Sequence, residues 1–146
     1  MRVAVVGCGH GELDRIYQVL NYIERTQLEH GQIDLLLICG DVQTLRDEND
    51  LKSMSVPGKY KSLGSFLEYY QGSKKAAVPT VLIGGNHEAS SYLSELFYGG
   101  FVAENMFYLG AAGVIRFGGL RIAGVSGIFK SHDYRKRLLN EFLVSC

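Results

Sequence analysis

Three short stretches of this 146-residue chain share one grammar: an apolar run, then glycine, then a side chain able to bind a metal ion. Val3-Ala4-Val5-Val6 runs into Gly7-Cys8-Gly9-His10-Gly11. Leu35-Leu36-Leu37-Ile38 runs into Cys39-Gly40-Asp41, and Val81-Leu82-Ile83 into Gly84-Gly85-Asn86-His87-Glu88. Cys8 as thiolate and His10 as neutral imidazole are good ligands for a transition metal. Asp41 has two oxygens and can bridge two ions, and Asn86 offers a neutral carbonyl oxygen. Two divalent ions bridged by a carboxylate suit phosphoester hydrolysis, because their charge activates a water and stabilises both the attacking and the leaving oxygen. His87, adjacent in sequence to Asn86 and not necessarily a ligand, could clamp the phosphate or protonate the leaving alkoxide. Each residue alone has a plainer reading: a buried free cysteine, a turn-capping aspartate, an asparagine in a left-handed turn. The joint pattern outweighs these, since the strand ends of an α/β sheet gather at one edge, where ligands bind.

Regular elements must deliver these side chains. Residues 2–6 and 34–39 read as continuous apolar strands, buried on both faces. Between them, Leu13, Ile16, Tyr17, Leu20 and Ile23 mark the apolar face of a helix over 12–29. Strand, helix, strand at this spacing predicts a βαβ unit with parallel strands. A second helix is expected over 60–70, a third strand over 80–83 behind Pro79, and a short helix over 89–96. The charged run Arg46-Asp47-Glu48-Asn49-Asp50 reads as a solvated loop or a helix start. Tyr98-Gly99-Gly100-Phe101 reads as an aromatic turn. Strands follow over 107–109, 113–117 and 120–125, the last two joined by the hairpin signal Phe117-Gly118-Gly119-Leu120.

The composition bounds the alternatives. The length suits one domain. A hydrophobic share of 47% and a formal net charge of zero give no bulk electrostatic argument for a nucleic-acid partner. The apolar runs fall far short of the roughly 20 residues of a membrane helix, and no signal-peptide pattern opens the chain. Three dispersed cysteines are not a disulfide framework, so a reducing compartment and no disulfide-linked partner are expected.

Gly40-Asp41 and Gly84-Gly85-Asn86-His87-Glu88 resemble the signatures of calcineurin-like metallophosphoesterases. Those enzymes usually carry Asp-x-His after the first strand, and this chain has Cys8-Gly9-His10. The cysteine is similar to one branch, the RNA lariat debranching enzymes. Gly11-Glu12-Leu13-Asp14, Tyr98-Gly99-Gly100-Phe101 and the stretch from Ser126 to Lys136 also resemble that branch. The resemblance spans residues 1–136, read as the N-terminal part of a metallophosphoesterase domain, with 137–146 a divergent tail. It implies an α/β fold, a β-sandwich flanked by helices and cut to roughly its first half. It implies hydrolysis of the 2′–5′ branch-point bond of lariat RNA, a nuclear setting and a role in RNA processing.

By position, the resemblance makes Cys8, His10, Asp41 and Asn86 metal ligands and His87 the group acting on the phosphate. It makes Lys130, His132, Tyr134 and Arg135 part of a substrate-recognition loop. Two divalent ions are implied, and the soft thiolate favours zinc or ferrous iron, with manganese tolerated. The family's later ligand histidines have no counterpart before Cys146, so the chain is expected to be incomplete, with weakened metal binding and an apolar sheet face or edge left open. Two rivals stand beside this reading. One is a dinucleotide-binding loop at Gly7-Cys8-Gly9-His10-Gly11, opposed by Glu12 at the position of the last glycine. The other is a fragment that binds branched RNA or a partner without turnover.

Overall fold

Apolar runs of four or five residues, set between longer amphipathic stretches, form the strands of one sheet. The computed structural model describes residues 1–27, 29, 31–132 and 134. The elements are β1 (Val3–Val6), α1 (Leu13–Thr26), β2 (Leu35–Cys39), α2 (Glu48–Ser53), α3 (Phe66–Tyr70), β3 (Thr80–Ile83), α4 (Ser90–Glu95), β4 (Gly100–Ala103), β5 (Met106–Tyr108), β6 (Ala112–Phe117) and β7 (Leu120–Val125), with a 3-10 turn at Gly58–Tyr60. The strand order is β1-β2-β3-β5-β4 in a five-stranded sheet, with β6-β7 as a separate hairpin. β1, β2, β3 and β5 pair in parallel, as expected for the βαβ unit, and β4 closes the edge antiparallel to β5. Val6 pairs with Ile38 and Cys39 with Ile83. The C-terminal ends of β1, β2 and β3 therefore finish side by side, and that edge carries the site.

Both faces of the central strands β2 and β3 are apolar because both are covered. By contrast β1, expected to be buried on both faces, lies at the sheet edge and is only partly covered, with Val5 64% exposed. Leu36, Ile38 and Leu82 meet Leu13, Tyr17 and Leu20 of α1 and Phe66 of α3 on one side. Leu35, Val81 and Leu109 meet Ile115, Phe117 and Ile122 of the hairpin on the other. Each fully buried leucine or isoleucine here contributes roughly 1.5–3 kcal/mol. The hairpin turns on Gly118 and Gly119, both at positive φ, and pairs Phe117 with Leu120 as the sequence indicates. Val5, Val114 and Val125 remain exposed, as does Phe101 on the edge strand, so apolar sheet surface is left open. No helix among the described residues is long and apolar enough to cross a membrane.

Two local expectations, about a turn and a helix, are corrected, and one open alternative is decided. The stretch expected to be a turn at Tyr98-Gly99-Gly100-Phe101 instead leads into β4. Gly100 pairs with Tyr108, and the Phe101 ring meets Phe107 edge-on at 5.1 Å, so cross-strand aromatic packing overrides the glycines. The helix expected over 60–70 is confined to Phe66–Tyr70. Gly64 sits at a φ of 61° against Gly11, and Ser65 donates both its N–H and its hydroxyl to the Gly11 carbonyl. The chain there is pinned to the first glycine turn rather than wound into a helix. The charged run over 46–50 is a helix start, the second of the two readings the sequence allowed. Asp47 caps α2 by accepting from the Asn49 and Asp50 N–H groups, and Asp50 is buried. Asp50 accepts from the Arg46 backbone and guanidinium and from the Ser91 hydroxyl. Arg46 also reaches Glu95 and lies over the Tyr92 ring, which ties α2 to α4.

Candidate metal centre

Each of the three strand ends turns sharply, and two of them do so on strained non-glycine residues. His10, Asp41 and Gln43 all adopt positive φ, at 45°, 52° and 57°. Such left-handed conformations cost on the order of 1–3 kcal/mol each and persist only where the surroundings fix them. Glycine makes the room. A Cβ at Gly85 would stand 2.1 Å from Asp41 Oδ1, and one at Gly40 would stand 3.0 Å from the Gly85 Cα. The β2 and β3 ends can thus approach as closely as they do only with glycine at positions 40 and 85. The Gly9 N–H donates to the Gly40 carbonyl at 3.0 Å and joins the β1 end to the β2 end.

Donor atoms of Cys8, His10 and Asp41 all lie within 4.8 Å of one another. Ligands on one zinc-like ion, at bond lengths of about 2.0–2.3 Å, stand roughly 4 Å apart or slightly less, so the cluster is nearly at coordination spacing. Asp41 is buried, with Oδ1 accepting the His87 backbone N–H at 2.9 Å. Its other oxygen, Oδ2, faces two imidazoles: His10 Nε2 at 3.9 Å and His87 Nδ1 at 3.8 Å. The two rings are 5.6 Å apart, centroid to centroid. A buried carboxylate among a thiol and two imidazoles is a donor set of mixed softness that a divalent cation would neutralise. The Asp41 carboxylate, with burial and a hydrogen bond adding to it, holds the Cys8 thiol above its ordinary pKa, so a cation is what would draw off that proton. These residues fit a metal centre.

The other expected residues fall as follows. Asn86 is exposed between Gly85 and His87 at the same strand end. Lys130, His132 and Tyr134 are exposed on the segment after β7, where Tyr134 packs its ring on Phe129 at 5.3 Å. That segment is anchored at the site edge. Ser126 Oγ accepts the Gly84 N–H and donates to the Gly110 carbonyl, and the Gly127 N–H donates to the Gly84 carbonyl. Arg135 and residues 137–146 lie outside the described residues.

Sequence reasoning missed the residue that fixes the geometry. Glu88 is buried, and its carboxylate accepts three backbone N–H groups: Val42 at 2.9 Å, Gln43 at 2.8 Å and Gly85 at 3.2 Å. It thereby holds the strained turn after Asp41 against the β3 end. Burial pushes the Glu88 carboxyl above its ordinary pKa, with the three backbone donors pulling the other way. The available signal was a glutamate closing a glycine-rich turn, where free backbone donors need an acceptor.

The profile of the calcineurin-like phosphoesterase family matches residues 1–142. Among curated proteins, the chain is 60% identical over 136 residues to the lariat debranching enzyme of Homo sapiens, covering 93% of this chain and 25% of that protein. It is 57% identical over 136 residues to lariat debranching enzyme A of Xenopus laevis, again 93% of this chain and 25% of that one. It is 50% identical over 135 residues to the lariat debranching enzyme of Arabidopsis thaliana, covering 92% of this chain and 32% of that protein. The chain thus spans about a quarter to a third of the length of these relatives. With its strand-end cluster of thiol, imidazole and carboxylate and a family match over nearly its whole length, this chain belongs to the calcineurin-like phosphoesterases, metal-dependent hydrolases of phosphate esters.

Proposed function

We propose that the chain carries the N-terminal half-site of a phosphodiesterase that opens the 2′–5′ branch-point bond of lariat RNA during RNA processing in the nucleus. The observation that carries this reading is Cys8 at the head of the Cys8–His10–Asp41 cluster, where most of the family has aspartate. The high identity to proteins named lariat debranching enzyme supports it. Cys8, His10, Asp41 and Asn86 would hold two divalent ions, and the thiolate favours zinc or ferrous iron, with manganese accepted. Ions bound there would supply the Lewis acidity that activates water and offsets charge on the phosphate oxygens.

The chain's own groups do the rest. Asp41, fixed through Oδ1 by the His87 N–H, keeps its second oxygen toward both imidazoles. His87, partly exposed beside that oxygen, is placed to hold a phosphate oxygen and to donate a proton to the departing ribose 2′-oxygen, which leaves as the hydroxyl. Glu88 keeps the turn rigid, so these groups need no rearrangement on binding. Lys130, His132, Tyr134 and Arg135 would contact the RNA on the segment anchored at Gly84.

The test is cleavage of a synthetic branched RNA by the chain with zinc, ferrous iron or manganese, beside a linear 3′–5′ RNA and the His87→Ala variant. A half-site is expected to cleave only weakly; any cleavage should be confined to the branch and lost in the variant. Retention of intact branched RNA without turnover would favour a binding role, and equal attack on the linear RNA would overturn the assigned specificity.

A further inference from the structure

A cavity of about 430 Å³ opens directly beside the two imidazoles. His10, His87 and Gln43 line one side of it, and Val56, Pro57 and Tyr60 line the other. Its size falls in the range of small-molecule sites. The far wall is held in place. Met54 is buried, Val56 packs against the main core, and the 3-10 turn bonds Tyr60 and Lys61 back to Pro57 and Gly58. Tyr60 is still 61% exposed, and Lys59 Nζ lies 4.8 Å from its ring centroid. None of these wall residues belongs to the metal cluster, and the sequence reading gave them no role.

From this cavity we infer that Tyr60 is the stacking platform for a nucleobase attached to the scissile phosphate. The inference rests on the phosphodiesterase reading above. A phosphate held at His87, beside the metal cluster that includes His10, must project its ester substituents outward, and the cavity is bounded by both histidines. Its far side offers an aromatic face, a rigid proline and an apolar wall, which accept a flat π-surface. Gln43 offers a carboxamide that can both donate and accept along a base edge. Lys59, over the same ring, is positioned for the backbone phosphate of the stacked nucleotide. An aromatic face with an adjacent cation is the usual means of holding an unpaired base.

The test is equilibrium binding by the full chain and its Tyr60→Ala and Tyr60→Phe variants. The probe is a short branched RNA whose 2′–5′ linkage is a non-hydrolysable phosphonate. A second probe is abasic at the two nucleotides flanking that linkage, and a third is linear and 3′–5′ linked. Base–aromatic stacking predicts that Tyr60→Ala weakens the first probe by about five- to 150-fold. Tyr60→Phe should restore binding, and Tyr60→Ala should change binding of the abasic probe by less than about twofold. An equal loss on intact and abasic probes, no loss on the intact one, or no binding by the parent chain would overturn the stacking role. A Tyr60 effect of the same size on the linear probe, with no preference for the branch, would leave the base pocket standing and remove the 2′–5′ assignment instead.

Discussion

Replacing Glu88 separates a structural from a catalytic account of the strand-end turn. Its two oxygens divide the work: Oε1 accepts from Val42 and Gly85, and Oε2 from Gln43. In Glu88→Gln an amide nitrogen must occupy one of these positions. Oriented with its oxygen at the Oε1 position, it keeps two bonds and sets a donor against the Gln43 N–H. Losing one hydrogen bond to a charged acceptor costs about 1.5–3 kcal/mol. Relief from burying a charge offsets part of that, so a net destabilisation of about 2 kcal/mol is expected. Glu88→Ala leaves all three backbone donors without this acceptor. At about 1–3 kcal/mol per unsatisfied buried group, with partial rescue by entering water, the expected cost is roughly 3–5 kcal/mol. Equilibrium urea unfolding checks the order. With a slope of about 2 kcal/mol/M, the midpoint should fall by about 1 M for the glutamine variant and about 2 M for alanine. Both variants should also lose metal affinity, since the positive-φ turn that presents Asp41 is no longer held. Unfolding midpoints within about 0.2 M of the parent for both variants would refute the claim that this carboxylate holds the site together.

Two further outcomes follow from the packing. Gly85→Ala places a Cβ 2.1 Å from Asp41 Oδ1 and 2.6 Å from its backbone nitrogen. The β2 and β3 ends must then separate, and metal affinity measured by competition with a chromophoric chelator should fall about tenfold or more; an unchanged affinity would mean that the close approach is not needed. The second outcome concerns pH. Burial pushes the Asp50 carboxyl up, but the hydrogen bonds and charge of Arg46, with Ser91, outweigh it and leave the group below its ordinary value of 3.8. A depressed carboxylate contributes stability that is present above its ordinary value and is lost as pH falls through the depressed one. Asp50→Asn should therefore be destabilised by about 2–4 kcal/mol near neutral pH, with the gap to the parent closing below about pH 4. Urea unfolding across that range would contradict this if the gap stayed constant.

The strand ends were legible because each announces itself locally. A short apolar run, then glycine, then Cys8-Gly9-His10, Asp41 or Asn86-His87 needs only the parallel register to bring the ends together, and Val6–Ile38 and Cys39–Ile83 pairing does so. The hairpin was legible for the same reason, since two adjacent glycines fit its turn. What escaped depends on partners distant in sequence. Glu88 serves the N–H groups of Val42 and Gln43 some 45 residues away, which the glycine-rich turn before it does not identify. Asp50 is buried only because Arg46 and Ser91 of another helix satisfy it. The helix expected from residue 60 is prevented by Gly64 and Ser65 docking on Gly11, a contact across more than fifty residues. The cavity wall at Val56, Pro57 and Tyr60 had no periodic signal, and its meaning comes only from facing two histidines from other strand ends.

The most direct test of the account is whether Cys8 binds a metal ion at this centre. Titrating cobalt(II) into the chain under reducing conditions should produce an intense near-ultraviolet thiolate-to-cobalt charge-transfer band. That band should vanish in Cys8→Ser, persist in Cys39→Ser and weaken in Asp41→Asn. A band that survives Cys8→Ser, or its absence from the parent chain at saturating cobalt, would contradict the assignment of this strand-end cluster as a metal centre.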